Sequence, residues 1–133
     1  MMLPRISTNV SVQSELPDSN PLGLFLDSIA AFAALPADTL VLPSHGKPFR
    51  GLHQRIAELQ AHHRDRCAGL LAACGTPKTA AELIPVLFLR DISDPHQLLF
   101  AMGEAMAHLN YLHQSGALLR ELDNGVFKFR RTH

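Results

Sequence analysis

Three helix-length apolar patterns followed by one hairpin signal set the narrowest limit on what this chain can fold into. Over residues 52–74 apolar side chains recur at Leu52, Ile56, Leu59, Leu70 and Cys74, with His63 and Cys67 on the same stripe. That spacing predicts a long helix with a narrow buried seam, stopped by Gly75. Thr79-Ala80-Ala81-Glu82 has the form of a capping box, in which the Thr hydroxyl accepts from the backbone three residues on. It opens a second helix with Leu83, Ile84, Leu87 and Phe88 inward, kinked at Pro85. Asp94-Pro95-His96-Gln97 opens a third, with Asp as cap and Pro at the first helical position. Leu98, Leu99, Met102, Met106, Leu109 and Leu112 are expected to line its inner face, and Gly116 to close it. Residues 118–122 and 126–130 read as two strands around Asp123-Asn124-Gly125, a strong hairpin signal. Three helices and a hairpin is the winged-helix order. The expected fold class is mainly α with a small β hairpin.

The pattern before Pro48 is different. Residues 1–21 hold three prolines and many small polar residues, with Ile6, Val10 and Val12 offering a short extended piece. Leu22, Phe25, Leu26, Ile29, Phe32 and Leu35 recur at helical spacing until Pro36 ends the run. Residues 39–42 suggest a brief buried strand. One helix and one strand cannot close a core by themselves. The expected division is therefore residues 1–48 as one part and residues 49–133 as a second, helical domain.

Composition removes several function classes. The chain has 133 residues, 47% of them apolar, with twelve basic and twelve acidic side chains, so no global field favours nucleic acid or an anionic membrane. No apolar run approaches the roughly 18 residues of a membrane span. Cys67 and Cys74, two helical turns apart, would stand roughly 10 Å from each other, too far for a disulfide. They are expected as reduced core residues in a cytoplasmic protein.

The residue that suggests chemistry is His45, in Leu40-Val41-Leu42-Pro43-Ser44-His45-Gly46-Lys47-Pro48-Phe49. A histidine where an apolar strand ends sits on a rigid support, and Gly46 lets the backbone pass close to a site. The plainer reading is a polar residue leaving a strand into a turn. The wider stretch, continuing through Arg50-Gly51-Leu52-His53, resembles the end of the catalytic domain in metallo-β-lactamase-fold hydrolases of the glyoxalase-II-like and β-lactamase-like branch. Leu3-Pro4-Arg5-Ile6-Ser7-Thr8-Asn9-Val10-Ser11 resembles the segment after that family's metal-bridging aspartate. Ser44-His45-Gly46 matches the strand end that supplies its last zinc ligand, with Ser44 where glycine is more usual. The resemblance implies that residues 1–48 are a helix–strand remnant of an αββα metallo-hydrolase domain. It implies equally that residues 49–133 are its winged-helix-like C-terminal domain, which would flank the active site and mediate packing or oligomerisation. The intact parent would be a zinc-dependent hydrolase of acyl compounds or phosphodiesters, with His45 a zinc ligand. The family's His-x-His-x-Asp-His cluster is absent from this sequence. The chain alone is thus expected to be non-catalytic and zinc-free, with the missing N-terminal catalytic domain as its partner and a second copy of itself as another.

Other candidates have plainer expectations. His53, His62, His63, His108 and His113 lack the i, i+4 spacing of a helical zinc pair and are expected at the surface or at interfaces, His63 also as a hydrogen-bonded core residue. His53 could face the absent active site or tie the two parts together. Cys67 and the Met102/Met106 pair are expected as core filler. The alternatives are a purely structural dimerisation domain and a DNA-binding winged helix. Against the latter, residues 95–115 contain no Lys or Arg, leaving His96, Gln97, Asn110 and Gln114 to reach bases. Arg120, Lys128, Arg130 and Arg131 make the hairpin basic, which is expected as a solvated wing.

Overall fold

The computed structural model describes residues 2–4 and 8–133; of the expected extended piece, Ile6 lies outside them. Asn20 opens helix α1, Pro21–Ala31, by accepting from the Gly23 amide at 3.0 Å. A 3₁₀ turn, Phe32–Ala34, follows before Pro36. Leu22, Phe25 and Ile29 are buried, at helical spacing. The buried strand expected at residues 39–42 does not form. One antiparallel bridge, Val41 to Phe49, is all that pairs, and Leu40 and Leu42 are exposed. In this register the next bonded pairs would be Pro43 with Lys47 and Thr39 with Gly51, but Pro43 has no amide to donate and Gly51 is left-handed at φ +91°.

Helix α2 spans Leu52–Ala73 and buries Leu52, Ile56, Leu59, His63, Cys67 and Leu70, which is the predicted seam. Its stop comes one residue before Gly75. The Cys74 amide reaches both Leu70 and Leu71 carbonyls with φ of −91°, so no left-handed glycine is required. The Cys74 carbonyl accepts from the Arg131 amide at 2.8 Å, which seals that end of the helix with a distant strand. Strand β1, Lys78–Thr79, was not legible as a strand, being two residues long. Thr79 then caps helix α3, Ala80–Leu87, accepting from the Glu82 amide at 3.2 Å. The helix runs through Pro85 for two residues.

Helix α4 spans Pro95–Gln114, capped by Asp94. Its inner face differs from expectation. Leu98 and Leu99 are exposed, Leu99 by 70%, while the stripe Ala101, Ala105, His108, Leu112 is buried. On another face, Gly103 lets the N-terminal segment approach the backbone. A Cβ on Gly103 would lie 3.0 Å from Ser11 Cβ, and the Gly103 carbonyl accepts from the Val12 amide at 3.0 Å. Gly116, at φ +85°, ends α4 in a Schellman motif: its amide reaches the His113 carbonyl and the Ala117 amide reaches Leu112.

Strands β2, Leu118–Asp123, and β3, Val126–Arg131, pair from Leu118–Arg131 to Asp123–Val126. Both turn residues, Asn124 and Gly125, have positive φ, as a type I′ turn demands. β1 joins the far side of β3, giving a three-stranded sheet in the order β1-β3-β2. Met2, Val10, Leu22, Phe25 and Ile29 share one apolar cluster with α2, α3, α4, Leu118 and Phe129. Phe129 is fully buried. Phe129→Ala is expected to cost about 3–5 kcal/mol in urea unfolding, and Leu89→Ala, at a side chain 98% exposed, less than about 0.5 kcal/mol. Similar losses for both would contradict this placement of the core.

Candidate functional site

His45 sits in a bend, residues 44–46, and is exposed. Two hydrogen bonds close the loop beneath it, Val41 N–H to Phe49 O at 2.8 Å and Phe49 N–H to Val41 O at 3.1 Å. Gly46 has φ +89°, and a Cβ there would come within 2.8 Å of Pro4 Cγ. Glycine is thus required twice, by backbone conformation and by the Pro4 ring. Leu3, Pro4, His45, Gly46, Lys47, Pro48 and Phe49 line an open, mainly apolar cavity of about 580 Å³. Three side chains around the start of α2 hold backbone carbonyls of the preceding chain. Arg50 donates to Asp38 O, His53 Nε2 to Leu35 O at 2.8 Å, and Arg55 Nε to Leu3 O at 2.6 Å. His53 therefore ties the two parts together.

A second cluster is buried between α2 and α4. His108 Nδ1 donates to the Glu104 carbonyl at 2.8 Å, because a carbonyl can only accept. In the neutral ring His108 Nε2 then accepts, and His63 Nδ1 donates to it across 3.2 Å. That fixes both tautomers and leaves His63 Nε2 buried without a partner. Burial, reinforced by His108, His62 and Arg66, pushes the His63 pKa down to about 4. Burial also lowers His108 and, with help from Arg66, His62. Arg66 donates from Nε to His62 Nε2 at 3.1 Å and from Nη1 to the Leu87 carbonyl at 2.9 Å. Glu104 is shifted upward by burial, against the pull of Arg66. His63 is the hydrogen-bonded core residue the seam allowed. His108 is a correction: it is 1% exposed, because the alanines beside it let α2 and α4 close around its ring.

The remaining candidates are structural. Burial raises the Cys67 thiol to about 11 and Cys74 in the same direction, so both are poor nucleophiles, and both are free. Met102 and Met106 pack half-buried against the core. Asn110, expected among the base-reading candidates, is buried and donates to the Pro17 and Ser19 carbonyls at 2.9 Å each. Gln114 likewise serves the Asp18 carbonyl. On the β2–β3 hairpin, Arg120 pairs with Asp18, Lys128 with Asp123 and Arg130 with Glu121. Arg120 also stacks 4.4 Å from the Phe127 ring centroid. The roles of Asn110 and Arg55 were not visible from sequence, since a polar residue on a helix shows no sign of the distant carbonyl it serves. Among the described residues no group of three or more His, Cys, Asp or Glu side chains could hold a metal ion, and no helix is long and apolar enough to cross a membrane.

Two measurements check these geometries. Gly46→Ala is expected to cost about 1–2 kcal/mol in urea unfolding, and Gly75→Ala, with open space around it, close to nothing; equal effects would remove the requirement at 46. His63 in the unfolded chain takes up a proton near 6.5, but in the folded chain only near 4. Between those values the unfolded state binds the extra proton, so stability is complete above 6.5 and falls with pH until the loss levels off near 4. His108 and His62, lowered by burial as well, act in the same direction, and Glu104 opposes them. His63→Leu should flatten the stability slope between pH 7 and about 4.5 in urea titrations; an unchanged slope would contradict the assignment.

Residues 67–132 match the family described as metallo-beta-lactamase-like, C-terminal domain. Among solved structures, a beta-lactamase domain protein from Burkholderia ambifaria is 50% identical with a TM-score of 0.94, over 98% of this chain and 39% of that one. A metallo-beta-lactamase family protein from Thermus thermophilus is 38% identical with a TM-score of 0.79, over 98% of this chain and 40% of that one. The chain thus spans about two fifths of the length of these relatives. No curated protein matches it.

Proposed function

The chain belongs to the metallo-beta-lactamase-like family, as a C-terminal part of such a protein, and from that premise we propose that it completes a zinc-dependent hydrolase. In this reading residues 1–48 finish the catalytic domain and present His45 as one metal donor, while residues 49–133 form a winged-helix-like domain that flanks the active site. The observation that carries it is the His45–Gly46 bend, exposed at the rim of an open cavity and restrained by Pro4. A ligand supplied to a site completed elsewhere needs this combination of accessibility and fixed backbone.

The order α2, β1, α3, α4, β2, β3 with its three-stranded sheet supports the winged-helix reading. Phe32, Leu35, Leu40 and Leu42 are exposed apolar side chains on residues 1–48, which supports their packing against the remainder of the catalytic domain. Three cations of the wing are paired with carboxylates, and Asn110 and Gln114 are engaged with the residue 17–19 turn. Both facts weigh against a groove-reading role.

The donors present do not fit a metal on their own. One imidazole leaves a divalent cation short of the three or four protein ligands it needs, so the remaining donors belong to the rest of the proposed protein. What zinc would supply there is activation of water and polarisation of the scissile group. The 133-residue chain, titrated with zinc by calorimetry, is expected to show no stoichiometric submicromolar binding and no chelator-sensitive thioesterase or phosphodiesterase activity. In the longer protein, His45→Ala is expected to lower zinc occupancy; unchanged occupancy would overturn the donor role.

A further inference from the structure

We propose that Arg55 is a positioning residue for the His45 bend, acting through Leu3, Pro4 and Gly46; its functional meaning rests on the reading of His45 as a metal donor. The chain of contact is short. Arg55 Nε donates to the Leu3 carbonyl at 2.6 Å. Leu3 is itself buried, which anchors that carbonyl. The carbonyl belongs to the peptide that carries Pro4, and the Pro4 ring lies where a side chain on residue 46 would have to go. Gly46 is the residue after His45. Displacing residues 3–4 therefore removes one wall of the bend, and the cavity lined by Leu3, Pro4 and His45 opens with it.

The energetics of α2 point the same way. Gly51 precedes the helix at φ +91° with no side-chain cap, and the first turn carries no acidic residue. Arg50 and Arg55, with His53 beside them, stand at an end where the helix dipole disfavours cations, by about 0.3–1 kcal/mol for each guanidinium. Glu58, paired with Arg55 at 3.0 Å, offsets part of this. A sequence selected only for helix stability would place Ser, Asp or Glu here. All three side chains instead donate to carbonyls of the preceding segment, at Asp38, Leu35 and Leu3. Local rules are broken in favour of holding the loop that bears His45. Of the three, only Arg55 reaches the segment in contact with Gly46.

The experiment compares backbone amide spectra of the ¹⁵N-labelled 133-residue chain with those of Arg55→Ala and Arg66→Ala. Arg66 also holds a carbonyl, that of Leu87, but away from the bend. In Arg55→Ala the amide signals of His45, Gly46 and Lys47 are expected to shift and broaden, while those of β2 and β3 stay in place. In Arg66→Ala the signals of residues 45–47 should not move. Should Arg55→Ala fail to fold, Arg55→Gln, which keeps a donor without the charge or the reach, is read the same way. Unmoved signals at 45–47 in a folded Arg55 variant, or equal movement in the Arg66 variant, would overturn the proposal. Because no metal enters the spectra, zinc occupancy indifferent to His45→Ala would sink the donor reading alone, whereas unmoved amides would sink the positioning role alone.

Discussion

The α2 stripe of Leu52, Ile56, Leu59, His63, Cys67 and Leu70 must be buried, and the other elements are arranged around that need. This 22-residue helix is covered by several shorter or crossing partners rather than by one. α1 and the N-terminal segment, α3 and α4 all contribute to the single cluster into which the stripe is packed. Residues on either side of Pro48 therefore share a core even though the sequence changes character there. A core of this kind transmits strain, because side chains in it are packed as densely as in a crystal. Loosening the early residues is felt first at α2, which shares that cluster with them.

Polar side chains take the place that sheet ladders fill elsewhere. Residues 2–4 and 8–20 contain no regular element among the described residues, yet several of their backbone groups are engaged from a distance. Arg55 serves Leu3, Gly103 accepts from Val12, and Asn110 and Gln114 gather the carbonyls of Pro17, Asp18 and Ser19. These bonds hold in place a segment that has no ladder of its own. Arg120 adds an ion pair to Asp18 that crosses from the β2–β3 hairpin to the same turn. The hairpin, α4 and the turn before α1 are joined in this way.

Much of the architecture was legible because local chemistry decides it. Thr79, Asp94, Gly116 and the Asn124-Gly125 turn each act through bonds to residues within a few positions, so sequence alone places them. What sequence could not show depends on distant neighbours. Leu98 and Leu99 have the right spacing for an inner face, but the elements that cover α4 reach only its later turns. His108 reads as a surface residue until Ala101 and Ala105 are seen to bring α2 close enough to enclose it. Residues 39–42 suggested a strand, but Pro43 on one side and the left-handed Gly51 on the other limit it to a single bridge. For the site the situation is similar. His45 and Gly46 stand out in sequence, whereas the Pro4 ring and the Arg55 guanidinium that hold them are visible only once the chain is folded.

The contact between the Arg131 amide and the Cys74 carbonyl has a kinetic side. The longest helix has its terminal acceptor satisfied by a strand that a ribosome makes long after the helix itself. Until β3 has emerged and turned back, the last turn of α2 is left to water, and β1 has no strand to pair with. Residues 52–79 must then wait, partly formed, for the polypeptide that follows them. In a nascent chain that interval is when a chaperone would find the apolar seam of α2 uncovered.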